Sequence, residues 1–315
     1  VTGAALFCHA MGCVSLALLS SGCASLRSSP APGDAPLAGG RIIDARSGRA
    51  LSPAEVDQRL LAAQVILVGE EHATPMYQTV QREVLERVEA LDPRHTALGI
   101  EWLPRSATLA LDDFVTATPP ESLAALRAAV DWDAVWGHDF DAYADIFESA
   151  RRQLIPIVAL NAEPGLARLV ARHGVAGVPP ERTAELPPLD SGNADHRDWF
   201  RARMQAASEG HPGHSVSGAA FERMYLAQLV WDETMARSIS EALIDVRRIV
   251  VFAGLGHVEQ GLGIPARLGA GVARLIIVPV ASADDARSRA RDAELPMREA
   301  DLFWVAREAV SPAHP

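Results

Sequence analysis

The sequence predicts an α/β fold: a mainly parallel β-sheet flanked by helices, with helical insertions. Two observations predict it. Short, continuous apolar runs recur along the chain with helical patterns between them, and the 315 residues are 49% hydrophobic and 22% charged, the balance of an ordinary folded protein.

The first apolar run, Val65-Ile66-Leu67-Val68, ends at Gly69, and over residues 78–91 the apolar positions Val80, Val84, Leu85, Val88 and Leu91 fall at helical spacing. Strand, loop and helix follow from that pattern. Residues 96–101, 155–160 and 249–253 read as further strands, and residues 275–279 and 302–306 as two more. Unbroken apolar runs suit strands buried on both faces, hence a parallel sheet. Two stretches, 104–150 and 179–245, break the alternation; within them residues 109–116, 123–130, 143–154 and 219–243 read as helices. They are expected as helical insertions in a single domain spanning residues 41–310.

Residues 4–19 are almost all small or apolar and lead into Ser20-Ser21-Gly22 directly before Cys23. This reads as a lipoprotein signal over residues 1–22, with cleavage at the small residues and acylation of Cys23. A plain cleaved signal peptide is the alternative. Ala24 rather than Asp after the cysteine favours the outer membrane of the bacterial envelope. Residues 23–40, rich in Ser, Pro, Gly and Ala, read as a flexible tether.

Composition removes several function classes. With 29 basic against 40 acidic residues and a net charge of −11, nucleic acid is not an expected partner. Every basic residue is Arg; without a Lys there is no Schiff base, no pyridoxal-phosphate enzyme and no Walker A loop. The three cysteines, Cys8, Cys13 and Cys23, all lie in the leader, so the body has no disulfide, thiol nucleophile or Cys-ligated metal. A Gly-x-Ser-x-Gly elbow is missing as well.

Ligands of open parallel sheets bind beyond the carboxyl ends of the strands. There the sequence places Glu70 and His72, Glu101, Asn161 and His257, with both histidines at the end of a Gly-x-x-His stretch. Glu70, His72, Glu101 and His257 can ligate a divalent ion such as zinc, activate water in a hydrolase, or form a hydrogen-bonded polar cluster. On the long helix Gln228 and Asp232 are four apart and share a face, where Asp232 can orient His257. Met224, Met235 and Trp231 read as core residues, and His211 and His214 as solvated imidazoles in a polar loop.

Val68-Gly69-Glu70-Glu71-His72, Glu101, the 132–161 stretch, the 227–236 helix segment and Ala253-Gly254-Leu255-Gly256-His257-Val258 together resemble the ChaN family. That resemblance implies an iron-regulated, haem-binding lipoprotein within the haem-uptake/Tiki group, which is also similar to TraB and erythromycin-esterase folds. Haem is the implied cofactor, with Arg side chains meeting its propionates and a homodimer left open. His72, His257, Gln228 and Asp232 are then candidate haem contacts. Where ChaN-like sequences carry a histidine pair, this chain has Met76-Tyr77, which makes Tyr77 the first candidate for an axial ligand. A hydrolase using the Glu/His set is the alternative that the same resemblance implies.

Overall fold

The computed structural model describes residues 41–208, 218–292 and 299–306. The leader with Cys23, the tether and His211 and His214 lie outside these.

A seven-stranded sheet runs through the molecule in the order β1-β7-β6-β2-β5-β3-β4. Its strands are β1 (Ile42–Asp44), β2 (Val65–Glu70), β3 (Thr96–Pro104), β4 (Ile157–Asn161), β5 (Arg248–Gly254), β6 (Arg274–Val280) and β7 (Leu302–Val305). All neighbours pair in parallel except β1, which lies antiparallel on β7 at one edge. The six sequence-predicted strands are present; β1, only three residues long, is too short to leave a pattern.

Side chains alternate across each strand and divide the core in two. Val65 and Leu67 of β2 join Ile249 and Val251 on one face; Ile66 and Val68 join Val250, Phe252 and Trp102 on the other. The second face is covered by α1 (Pro53–Ala62) and α2 (Pro75–Leu91), and by the first insertion. That insertion comprises α3 (Thr108–Thr116), α4 (Leu123–Ala129), α5 (Trp132–Val135) and α6 (Asp141–Gln153). After β4 come α7 (Leu166–His173), α8 (Ala194–Ser208) and the long α9 (Gly218–Ala242), whose Met235 and Ile239 pack on the first face. Two short helices, α10 (Leu255–Val258) and α11 (Ile264–Arg267), follow β5, and α12 (Ala283–Asp292) precedes β7. No helix among the described residues is long and apolar enough to cross a membrane.

The central register sets the site. Gly254 lies opposite Glu70 across β5 and β2, and its N–H donates to Glu101 Oε2 of β3 at 2.6 Å. The last residues of β2 and β5 therefore meet Glu101, toward the end of β3, at one edge of the sheet.

Candidate functional site

Glu70, at the end of β2, is buried and accepts four hydrogen bonds. Trp102 Nε1 (3.0 Å) and His72 Nδ1 (2.6 Å) donate to Oε1, and Gln78 Nε2 (3.0 Å) and Gln81 Nε2 (2.9 Å) to Oε2. Gln78 and Gln81 are three apart on α2, so one helical face supplies both amides. Because Nδ1 of His72 donates to a carboxylate, Nε2 is left as the free ring nitrogen. Burial opposes charge on His72, but the hydrogen bond it donates to Glu70 and the nearby Glu101 carboxylate outweigh it and raise the pKa. Ala73, next in sequence, adopts φ 51° and donates its N–H to Tyr143 Oη at 2.9 Å. This left-handed turn, uncommon for alanine, redirects the chain directly after the imidazole. The ring lies over the end of β5: a Cβ on Gly254 would sit 3.0 Å from His72 Cε1.

A second cluster adjoins the first. His257 Nδ1 donates to Asp232 Oδ1 at 2.6 Å, and its Nε2 lies 3.3 Å from Glu101 Oε1. Gln228 Nε2, one turn before Asp232, donates to Asp232 Oδ1 at 3.3 Å. Burial alone would discharge this imidazole, yet Glu101 and Asp232 on either side hold its pKa at about 10. Glu101 is the mirror case: burial pushes it up, while the charges on His257 and His72 and the Gly254 N–H bring it down to about 2. The result is a buried imidazolium fixed between two carboxylates. Behind it, His196 of α8 accepts at Nδ1 from Arg267 Nη2 (3.1 Å) and Tyr225 Oη (3.3 Å), with Nε2 3.5 Å from Asp232 Oδ2. Burial and Arg267 press the His196 pKa down to about 4 although Asp232 opposes them.

That value predicts an acid-labile fold. An unfolded histidine titrates near 6.5, so between pH 6.5 and about 4 the unfolded chain binds more protons at this position, and stability falls as pH drops. The expected loss reaches about 3 kcal/mol at the low end. Denaturant titrations at pH 7 and 4.5 check it: His196→Gln should lose less stability between the two pH values than the parent. An equal loss in both proteins would rule the account out.

The two clusters share an open cleft of about 420 Å³. His72, Glu101, His257 and Trp102 line it, together with Val135, Trp136, Trp231, residues 161–165, Ala167 and Arg168. His72 meets Trp136 edge-on at 4.6 Å between ring centroids and His138 at 5.3 Å. Trp231, expected in the core, is 37% exposed because its place on α9 brings it out at the cleft, 6.2 Å from the His257 ring. Asn161 of β4 stabilises the strand end itself, donating from Nδ2 to the Glu101 carbonyl at 2.9 Å.

Of the residues singled out from sequence, Glu70, His72, Glu101, Gln228, Asp232 and His257 are brought together. Tyr77 is not. It sits one residue before Gln78, about 100° around the helix from the face that meets Glu70, and is buried near Glu71, Arg289 and Glu299. Burial, helped by Glu71, pushes its phenol up to about 12. The divalent-ion reading finds no support either. Among the described residues no group of three or more His, Cys, Asp or Glu side chains is placed to hold a metal, since these donors are committed to one another. An imidazolium with both nitrogens donating, as in His257, has no lone pair to offer. Sequence reading missed His196, Arg267, Trp136 and His138, which follow no strand end. Only Asn193 was a local signal, its Oδ1 accepting from the His196 N–H at 3.0 Å to cap α8.

Residues 56–268 match the family described as haem-binding uptake, Tiki superfamily, ChaN. The chain belongs to that family. A solved structure of cofacial heme binding to ChaN of Campylobacter jejuni superimposes with a TM-score of 0.62 at 14% identity, covering 85% of this chain and 96% of that one. That likeness shows the same α/β fold. The type III effector HopBA1 (TM-score 0.41, 13% identity, 78% of this chain and 88% of that one) is similar to a lesser degree. So is a mutant of the erythromycin esterase EreC in its open conformation (TM-score 0.43, 13% identity, 76% of each chain). No curated protein matches this ChaN-family chain.

Proposed function

We propose that this ChaN-family chain binds haem in the cleft beside His72, as a lipid-anchored envelope protein that serves haem uptake. The observation that carries the reading is the free Nε2 of His72. Its opposite nitrogen is held by a fourfold hydrogen-bonded carboxylate, the arrangement that orients a histidine toward a metal centre. The surroundings fit the group in part: the half-buried Trp136 and the exposed Trp231 offer apolar ring surface, and the open cleft accommodates one side of a porphyrin. A second copy of the chain covering the other side is consistent with that openness. When bound, haem supplies an iron that takes an imidazole ligand. Anchoring at Cys23 and residence in the outer membrane rest on the leader sequence.

Haemin titration of the full chain, followed in the Soret band, tests this. A saturable shift is expected in the parent and in Tyr77→Phe, with loss of the histidine-ligated spectrum in His72→Ala. An absent shift, or an identical spectrum in His72→Ala, would overturn the assignment.

A second reading has one observation in its favour: His72, oriented by Glu70 and with its pKa raised by Glu70 and the nearby Glu101 carboxylate, also has the setting of a general base. Hydrolysis of ester substrates that is lost in Glu101→Gln, in a protein that takes up no haemin, would favour it.

A further inference from the structure

His72 stands in the short connection between β2 and α2, residues 71–74, so the setting of its ring depends on how those residues turn. The Glu70 carboxylate holds the ring at Nδ1, and a ring held at one atom still pivots about that bond. The backbone behind it needs support of its own. Thr74 gives α2 no side-chain cap, and its hydroxyl reaches the His72 carbonyl only at 3.4 Å. Ala73, at φ 51°, occupies the left-handed region that a residue with a Cβ enters at a cost. Such a residue keeps that conformation only when its surroundings hold it there.

The hold comes from 70 positions away in sequence. Tyr143 of α6, in the first insertion, places its hydroxyl oxygen 2.9 Å from the Ala73 nitrogen and accepts the N–H. The Tyr143 side chain is fully buried, its ring packed on Trp102 at 4.4 Å and on Trp132 at 5.3 Å between centroids. Packing needs the ring but not the oxygen. A phenylalanine would fill the same space without the cost of taking a hydroxyl out of water, so the oxygen is explained by the bond it accepts beside His72.

We propose that Tyr143 is a positioning residue: by pinning the left-handed turn at Ala73 it sets the His72 ring in the cleft wall, so that Glu70 and Tyr143 together hold the imidazole ready before a ligand arrives. This rests on the haem reading, in which His72 is the residue that meets the iron. Tyr143 does not line the cleft and acts through the backbone alone. What it contributes is order established in advance of binding, which the ligand then does not have to impose.

Two variants of the full chain test this. Tyr143→Phe keeps the packing and deletes the acceptor; Ala73→Gly added to it eases the turn by another route, since glycine takes positive φ freely. Hydrogen exchange at the residue-73 amide is followed by NMR in the free protein, and haemin binding in the Soret band. In Tyr143→Phe the amide is expected to exchange at least about tenfold faster, and haemin to bind about tenfold more weakly with an incomplete histidine-ligated spectrum. The double variant should regain most of the affinity and the parent spectrum although its residue-73 amide still exchanges fast. Equal haemin affinity and spectrum in the parent and Tyr143→Phe would overturn this inference and leave the haem reading standing. A loss that Ala73→Gly does not recover would also overturn it, since the hydroxyl would then act elsewhere than at the turn. If the parent takes up no haemin, the haem reading falls and the exchange rates decide this one: unchanged protection in Tyr143→Phe overturns it, and faster exchange sustains the pinning of the turn.

Discussion

His257→Ala is expected to lower folding stability by about 3–5 kcal/mol, the range seen when one partner of a buried ion pair is removed. Both carboxylates that flank the ring are themselves buried, Asp232 completely, so neither can recover solvation when the imidazolium goes. The same argument fixes a pH dependence. With a folded pKa of about 10 against 6.5 for an ordinary histidine, the folded state holds this proton more tightly. The stabilisation is complete below pH 6.5 and is lost as pH rises through about 10. Denaturant titration of the parent and of His257→Ala at pH 6 and pH 9.5 measures both effects: the gap between the proteins should be wide at the lower pH and narrower at the higher. A second comparison guards the interpretation. Asp232→Asn added to His257→Ala should cost less than the two single changes summed, because the pair acts as a unit. A loss of under about 1 kcal/mol for His257→Ala would mean that the ring is not the buried cation described.

Trp102→Ala is expected to cost a comparable amount, about 3–5 kcal/mol, but for a different reason. The Trp102 side chain is almost completely buried, packing on Tyr143 at 4.4 Å, Phe147 at 5.7 Å, Trp132 at 6.1 Å and Phe252 at 6.2 Å between ring centroids. Its removal leaves a cavity at the junction of β3 with the first insertion. Trp102→Phe separates packing from hydrogen bonding: it retains an aromatic ring while deleting the 3.0 Å donation to Glu70. Thermal unfolding should show a small decrease for the phenylalanine variant and a large one for alanine. In haemin titrations the phenylalanine variant should still bind, with lower affinity, because Glu70 keeps three of its four donors. Similar stability losses in both variants would place the whole effect in the indole N–H and contradict the packing argument.

The fold class was legible because the central strands carry short, continuous apolar runs, as in residues 65–68 and 249–252, and such runs survive without tertiary information. Strand order was not, because nothing local to β5 says that it enters between β2 and β3. The strand-end rule located Glu70, His72, Glu101 and His257, since parallel strands deliver their last residues to one edge. Residues that reach the site from helices were harder to read. Tyr77 stands five places after His72, yet the helical turn of α2 carries it toward Arg289 and Glu299. His196, far along the chain, is brought beneath Asp232 by packing of α8 on α9. Sequence distance is informative within a strand and misleading across a helix.

The place of β5 has a consequence for how the molecule comes into being. Strands β2 and β3 never pair with each other; each pairs with β5, which is made only after both insertions and α9 have been synthesised. A nascent chain that stops just before Arg248 therefore leaves β2 unpaired on both edges, since β6 is also still to come, leaves β3 paired only with β4, and has no floor for the cleft. Closing it requires contacts between distant segments, the kind that slow folding and leave strand edges open to aggregation. The cleft is consequently among the last parts of the chain to form, and a product truncated before β5 has none.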